Sequence, residues 1–495
     1  MKTSCLLIVV LSLCTNSFAQ FTVNIKGTEI KSGQKVLLTE LCSKNYTGAS
    51  GASIVKNDKP DFVTFDYLKK VQFDISDISA FWQIQTAVND VYENLIKNGF
   101  QYDLRQEMEN EGLRYLNELG QQQLIFEDSY LENYLYSLSY KIYPGSLNDG
   151  RPGILNVKIM VDNAPNAFIF PNGSMVITTG LLSTINSEEE LIGVMAHEIS
   201  HFVLDHSIIN INKAIQRQKN AEFWAAFATA VAAVGEVYVA SNNRYYVPGA
   251  LTYSTAVLSS AIAKSFTERL GLKYSQEQEF AADKCAVELM RFLKIDHTAL
   301  SSALTKIKTY CTVTGNYYAL SGEGTHPAIS DRINKIGSPH DFNSVKYDKL
   351  VSFVTSANAI IEFNNRHFKA CQLLVDRNIK ANLPTEEDYI LKAMTNLYLY
   401  DNVEKNTESL DLINKAKKLN VVPTINIFKQ EALVLLRLGK LPESLIAFGA
   451  YDDKLDQELL NSSNIKNTDS WYYQNQYLNE EKNWTSKMIY KVKSM

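Results

Sequence analysis

Between Val194 and His206 the chain reads VMAHEISHFVLDH, which puts three of its seven histidines into thirteen residues. His197 and His201 lie four apart, with Glu198 directly after the first. An α-helix turns once in about 3.6 residues, so positions i and i+4 share a face and their imidazoles can reach one point. Apolar residues on both sides (Val194–Ala196, Phe202–Leu204) would bury such a helix. Ser187 stands where an N-cap belongs, and Glu188–Glu190 fill a first turn in which the helix dipole favours anions. The plain alternative is a surface helix with two solvated histidines.

Neutral imidazole suits zinc. Glu198 would sit beside the ligands without aiming at the metal, where it can hold the metal-bound water and take its proton. A catalytic zinc wants a third protein ligand and an open position. His206 follows too closely for a third histidine of metzincin spacing, and it is read as support for the helix end. The third ligand is therefore expected to be a carboxylate on another helix. SQEQEFAADKC (Ser275–Cys285) offers Glu277, Glu279 and Asp283. Glu279 could ligate while Asp283, one turn on, accepts an N–H from a ligating imidazole, as is usual around bound metals. Helix geometry alone leaves Glu277 and Glu279 both open.

The remaining chain frames this site. A length of 495 residues suggests two or three domains. A net charge of -5 provides no basic face, so no nucleic-acid partner is expected. The opening MKTSCLLIVVLSLCTNSFAQ has a positive start, a short apolar run and a small-x-small site, so residues 1–19 read as a signal peptide. Residues 20–75 read as a leader or small β segment containing a Gly/Ser-rich loop, TGASGASIVKNDKPD. Residues 76–345 read as the metallopeptidase domain, with strand-like ILNVKIMVD and SMVITTGLL around the turn FPNG. Ala221–Ala240 is very apolar but short of the ~20 residues a spanning helix needs, so it is read as a buried helix, a lid or a peripheral membrane contact. Residues 346–495 read as helical hairpins. KQEALVLLRLGKLPESLIAF, turning at Gly439, resembles a tetratricopeptide unit, whose consensus is about 34 residues. Cys42, Cys285, Cys311 and Cys371 have no zinc-thiolate spacing; a Cys285–Cys311 bridge and four buried thiols are both open.

AHEISH, then EFAAD on a later helix, then THPAISDRI, with NAFIFPNGSMVITTGLL upstream, resembles the HtpX and CAAX-prenyl-protease family of gluzincins over about Asp128 to Ile336. The signal peptide and repeat-like tail are similar to its periplasmic, BepA-like branch. The resemblance implies Glu279 as third ligand through the E-x-x-A-D pattern, with Asp283 as its supporting partner. Ser200 stands where glycine is common. Asn166, Ala167, Phe168, Ile169 and Phe170 read as an edge strand, and the family favours substrate pairing there by strand addition over a plain core role. His326 and Arg332 have a bland reading, a helix cap and a salt bridge. They also have a functional one, stabilising the oxyanion. A third option makes His326 a fourth zinc ligand that holds a resting form inactive.

The expected fold is α+β, mostly α: a zincin-like metalloprotease domain with a small sheet, followed by an α-helical tetratricopeptide-like repeat domain. The expected function is a secreted zinc-dependent metalloendopeptidase with one zinc per chain. It would act on protein or peptide substrates in envelope quality control, with protein partners at the repeats. The Lys-, Asn- and Ile-rich composition fits a bacterial envelope protein, and the signal peptide with the family resemblance makes the bacterial periplasm the expected place. The reading from another class is a repeat-based chaperone or binding protein with a latent or inhibited zinc site. Glu198→Ala should abolish proteolysis and spare binding, and deletion after Val351 should do the reverse. An integral-membrane prenyl-type protease fares poorly, because no mature segment is long enough to span.

Overall fold

The computed structural model describes residues 21–44, 50–89, 91, 99–143, 147, 151, 153–217, 274–315, 329–419, 424–462 and 469–495. The signal-peptide segment, residues 221–240 and His326 lie outside the described residues. The chain divides into two compact units, Met1–Gln106 with Tyr143–Ile154, and Glu107–Ile142 with Leu155–Met495.

The first unit holds an antiparallel sheet of β1 (Phe21–Glu29), β2 (Lys35–Lys44), β3 (Ser50–Lys56), β4 (Lys59–Val63) and β5 (Val71–Phe73), in the order β4-β3-β2-β1-β5. Val23 and Ile25 turn inward while Thr22 and Asn24 face solvent, the period of two that a half-buried strand requires. Leu38, Leu41 and Ile54 join them under α1 (Phe65–Leu68) and α2 (Ile78–Val88). The stretch expected as a Gly/Ser-rich loop is instead largely the β3–β4 hairpin. Asn57 and Asp58 both take positive φ (50° and 58°), as a two-residue type I′ turn demands. Glycine at Gly51 allows close strand approach, since a Cβ there would lie 2.2 Å from the Val63 carbonyl oxygen.

The second unit is mostly helical. It takes in most of α3 (Gly99–Gln121), then α4 (Ser129–Ile142) and a three-stranded sheet of β6 (Asn156–Met160), β7 (Ala167–Ile169) and β8 (Ser174–Thr178). The order is β6-β8-β7, with β6 parallel and β7 antiparallel to β8. Among the described residues six helices follow: α5 (Thr179–Thr184), α6 (Glu188–Val203), α7 (His206–Arg217), α8 (Gln276–Phe292), α9 (Thr298–Thr314) and α10 (Ile329–Ile336). Helix α6 starts as its sequence directs, with Ser187 Oγ accepting from the Glu190 N–H, and it is buried along nearly its whole length. It packs against α8, α9 and β7. Gly193 lets α9 approach, because a Cβ there would lie 3.1 Å from Leu300.

The tail continues as α11 (Val345–Asn364), α12 (Phe368–Lys380), α13 (Glu386–Leu399), α14 (Val403–Leu419), α15 (Ile425–Arg437), α16 (Leu441–Ser462) and α17 (Asp469–Lys493). Each helix packs on the next. Three of the described hairpin turns share one hydrogen-bond scheme: Arg366 N–H to Phe363 O with His367 N–H to Glu362 O, Asn382 N–H to Ile379 O with Leu383 N–H to Asn378 O, and Gly439 N–H to Leu436 O with Lys440 N–H to Leu435 O. Among the described residues no helix is long and apolar enough to cross a membrane.

Candidate metal centre

Helix α6 delivers His197 and His201 from adjacent turns, both buried, with their Nε2 atoms 3.1 Å apart. Helix α8 begins with a capping box between Ser275 and Gln278, which sets its first turn against α6. Glu277 on that turn is exposed, whereas Glu279 is 0 % exposed. The Glu279 carboxylate reaches His197 Nε2 at 3.3 Å and His201 Nε2 at 3.5 Å. One ligand atom from each of His197, His201 and Glu279 falls within 4.8 Å of the others.

The second layer differs on the two sides. Asp283 Oδ1 lies 2.9 Å from His197 Nδ1, as the spacing on α8 suggested. Arg332, buried on α10, donates to both Asp283 oxygens through Nε (2.9 Å) and Nη2 (2.7 Å), and its Nη1 is 3.1 Å from Glu279 Oε2. On the other side, His201 Nδ1 meets His206 Nδ1 at 2.8 Å. Tyr274 stacks on the His201 ring with centroids 3.6 Å apart, and its hydroxyl lies 3.0 Å from Ser207 Oγ. His206 reaches its place because the chain turns back after α6 through Asp205, whose φ is 56°. The sequence reading gave His206 to the helix end and passed over Tyr274. The third histidine of AHEISHFVLDH was the signal available for the former, and nothing in the sequence marked the latter.

Burial and Arg332 press against protonation of His197, but Asp283 and Glu279 outweigh them and lift its pKa to about 9. Burial holds His201 well below the histidine range against the pull of Glu279, and takes His206 down to about 3. Burial would raise Asp283, yet Arg332 and then His197 hold its carboxyl well below the usual range. As carboxylates, buried Glu198, Glu279 and Asp283 bring three negative charges, which Arg332 and a protonated His197 offset only in part; a metal ion would take the place of that proton. That excess, with two imidazole nitrogens and a carboxylate converging, fits a divalent ion of zinc's ligand preference.

Glu198 is 2 % exposed beside His197 on α6. Ala167–Ile169 form β7, an edge strand of its sheet, with Asn166 and Phe170 at its ends. The Thr178 N–H bonds to Asn166 O, and the Phe170 N–H to Ser174 O. By antiparallel alternation, Ala167 and Ile169 turn their backbone groups away from β8. The side chains of Ala167, Phe168, Ile169 and Phe170 are all buried, and the Phe168 and Phe170 rings pack on Tyr115. None of Cys285, Cys311 and Cys371 is in a disulfide.

Residues 148–340 match the model of peptidase family M48. The beta-barrel assembly-enhancing protease of Escherichia coli is 24% identical over 209 residues, covering 42% of this chain and 39% of its own length. An HtpX protease homolog of Methylibium petroleiphilum is 30% identical over 205 residues, 36% of this chain and 66% of the relative. The mitochondrial metalloendopeptidase OMA1 of Schizosaccharomyces pombe is 27% identical over 180 residues, 36% of this chain and 44% of its own. The match thus spans about two fifths of the assembly-enhancing protease, 39% of its length. Helix α6 with its paired histidines, helix α8 with Glu279 and Asp283, and Arg332 on α10 all fall inside the matched stretch, and residues 148–340 are a peptidase family M48 domain.

Proposed function

We propose that this chain is a zinc-dependent metalloendopeptidase with one zinc per chain. The observation that carries the reading is the buried convergence of His197, His201 and Glu279 within 4.8 Å. Zinc held by these three residues would polarise the scissile carbonyl and lower the pKa of a water. Glu198, adjacent to His197 and buried, takes the proton of the attacking water and returns it to the leaving amine. Asp283 fixes the His197 ring through Nδ1, and Arg332 balances the charge of Asp283 and Glu279. Arg332 also brings positive charge to the cluster, where it can stabilise the developing oxyanion. His326 keeps its two functional readings, oxyanion stabiliser or fourth ligand of a resting form, on sequence grounds. An extended peptide would pair with the outward backbone groups of Ala167 and Ile169 along Asn166–Phe170.

The substrates in this reading are proteins or peptides. Export by residues 1–19 to the bacterial periplasm, and work in envelope quality control, are supported by the sequence and by the beta-barrel assembly-enhancing proteases among the relatives. The helical hairpins from α11 onward, read as tetratricopeptide-like, would offer a surface to protein partners.

The test pairs chemistry with metal content. Glu198→Gln should lose about 10²–10⁴-fold in kcat on a denatured protein substrate and keep its zinc. His197→Ala and Glu279→Ala should lose zinc by mass spectrometry. Full activity in Glu198→Gln, or undiminished zinc in both ligand variants, would end the proposal.

A further inference from the structure

To pass from β6 to the edge strand β7 the chain makes the turn DNAPN (Asp162–Asn166). This turn is pinned from inside by the end of β8 and the start of α5. Thr178 Oγ1 donates to Ala164 O at 2.7 Å and accepts from the Asn166 N–H at 2.9 Å. The Gly180 N–H donates to Asp162 O at 2.7 Å. A Cβ on Gly180 would lie 2.3 Å from Asn163 O, so nothing larger than hydrogen fits beneath the turn as it stands.

The same turn is pinned from outside by α11, about two hundred residues downstream and within the same compact unit. Asn163 Nδ2 donates to Glu362 Oε1 at 2.6 Å. One helical turn earlier, Asn358 Oδ1 lies 2.9 Å from Thr179 Oγ1, and Asn358 Nδ2 donates to Ser183 Oγ at 2.6 Å. Asn358 and Glu362 share a face of α11 and address the two ends of one structure, the turn before β7 and the helix after β8. Glu362 is 0 % exposed and is held also by Tyr310 OH at 2.6 Å and His367 Nδ1 at 2.7 Å. A buried carboxylate is a poor choice for packing alone, since an apolar residue of similar volume commonly serves as well or better. What it supplies is direction, because its acceptors fix where Asn163 must sit.

We infer that Asn358 and Glu362 are positioning residues for the substrate strand, so that the first helix of the tail completes the peptidase site. Strand addition depends on the spacing of outward N–H and C=O groups, and a pivot at Asn163 displaces those of Ala167 and Ile169 together. The consequence for catalysis rests on the peptidase reading; the positioning itself does not.

Hydrogen exchange by mass spectrometry on the full chain tests the positioning without reference to activity. In Asn163→Ala and in Glu362→Ala, exchange over residues 162–170 should rise about ten-fold, the scale of one charge-assisted hydrogen bond, with α13–α16 unchanged. Glu362→Gln, which keeps an oxygen for Asn163, should restore much of the protection. In a peptide assay Asn163→Ala should then raise KM several-fold, hold kcat nearly level and retain zinc. Unchanged exchange over 162–170 in both alanine variants overturns the inference, as does a rise that spreads equally through α13–α16. If the wild type cleaves no peptide, the peptidase reading fails and the exchange data still decide.

Discussion

A carboxylic acid taken out of water holds its proton more tightly, and Asp162 is 3 % exposed. Burial, with Glu362 adding, raises its pKa from the ordinary 3.8 to about 7. The folded chain therefore keeps a proton that the unfolded chain releases. The contribution to stability is fully present below pH 4 and is lost as pH rises to 7. Asp162→Asn keeps an oxygen for the Ala164 N–H and should flatten that slope, gaining up to about 4 kcal/mol over wild type at pH 8 in urea unfolding. Parallel pH profiles for the two proteins would refute this. At the metal centre, His206→Ala should weaken zinc binding about 10–100-fold in chelator competition, because His201 loses the partner of its Nδ1; unaltered affinity would refute that role. The sequence made His197, Glu198 and His201 legible through one helical turn. It left Glu277 and Glu279 level, because which face of α8 meets α6 is a tertiary fact that spacing does not carry.

Helices and strands were legible where burial is one-sided. The N-cap at Ser187 and the alternation of β1 were both written locally. Small residues misled: glycine and serine around Gly51 signalled a loop, whereas at Gly51 it is close strand approach that requires glycine. The tail turns show the reverse limit. Arg366, Asn382 and Gly439 all take left-handed φ of 58–71°, yet only glycine announces it. Gly180 in α5 is a third kind, a contact glycine inside a helix. Gly180→Ala should lower stability by about 1–3 kcal/mol, because its Cβ meets the backbone of Asn163 and Ala164. A thermal midpoint equal to wild type would mean that the turn before β7 retreats freely.

Periodicity says that a helix buries a face without saying against what, so the relation of tail to catalytic region was the least legible feature. Asn358, Glu362 and Arg377 all bond to residues between Asn163 and Ser183. Deletion after Val351 would remove these partners and uncover α5, so it is no longer expected to spare proteolysis. A chain ending at Ser344 should have a much lower thermal midpoint and poor zinc retention, whereas one ending at Leu419 should keep both near wild type. A stable, zinc-loaded chain ending at Ser344 would contradict this.

Roughly eighty residues separate His201 from Glu279, and an ion that ligates both closes them into a ring. Restricting the unfolded chain in that way is worth on the order of 4 kcal/mol for a covalent cross-link of similar span. With none of Cys285, Cys311 and Cys371 bridged, the metal would take the part that a disulfide plays elsewhere. The durability of the helices around His201 and Glu279 would then be sensitive to chelators.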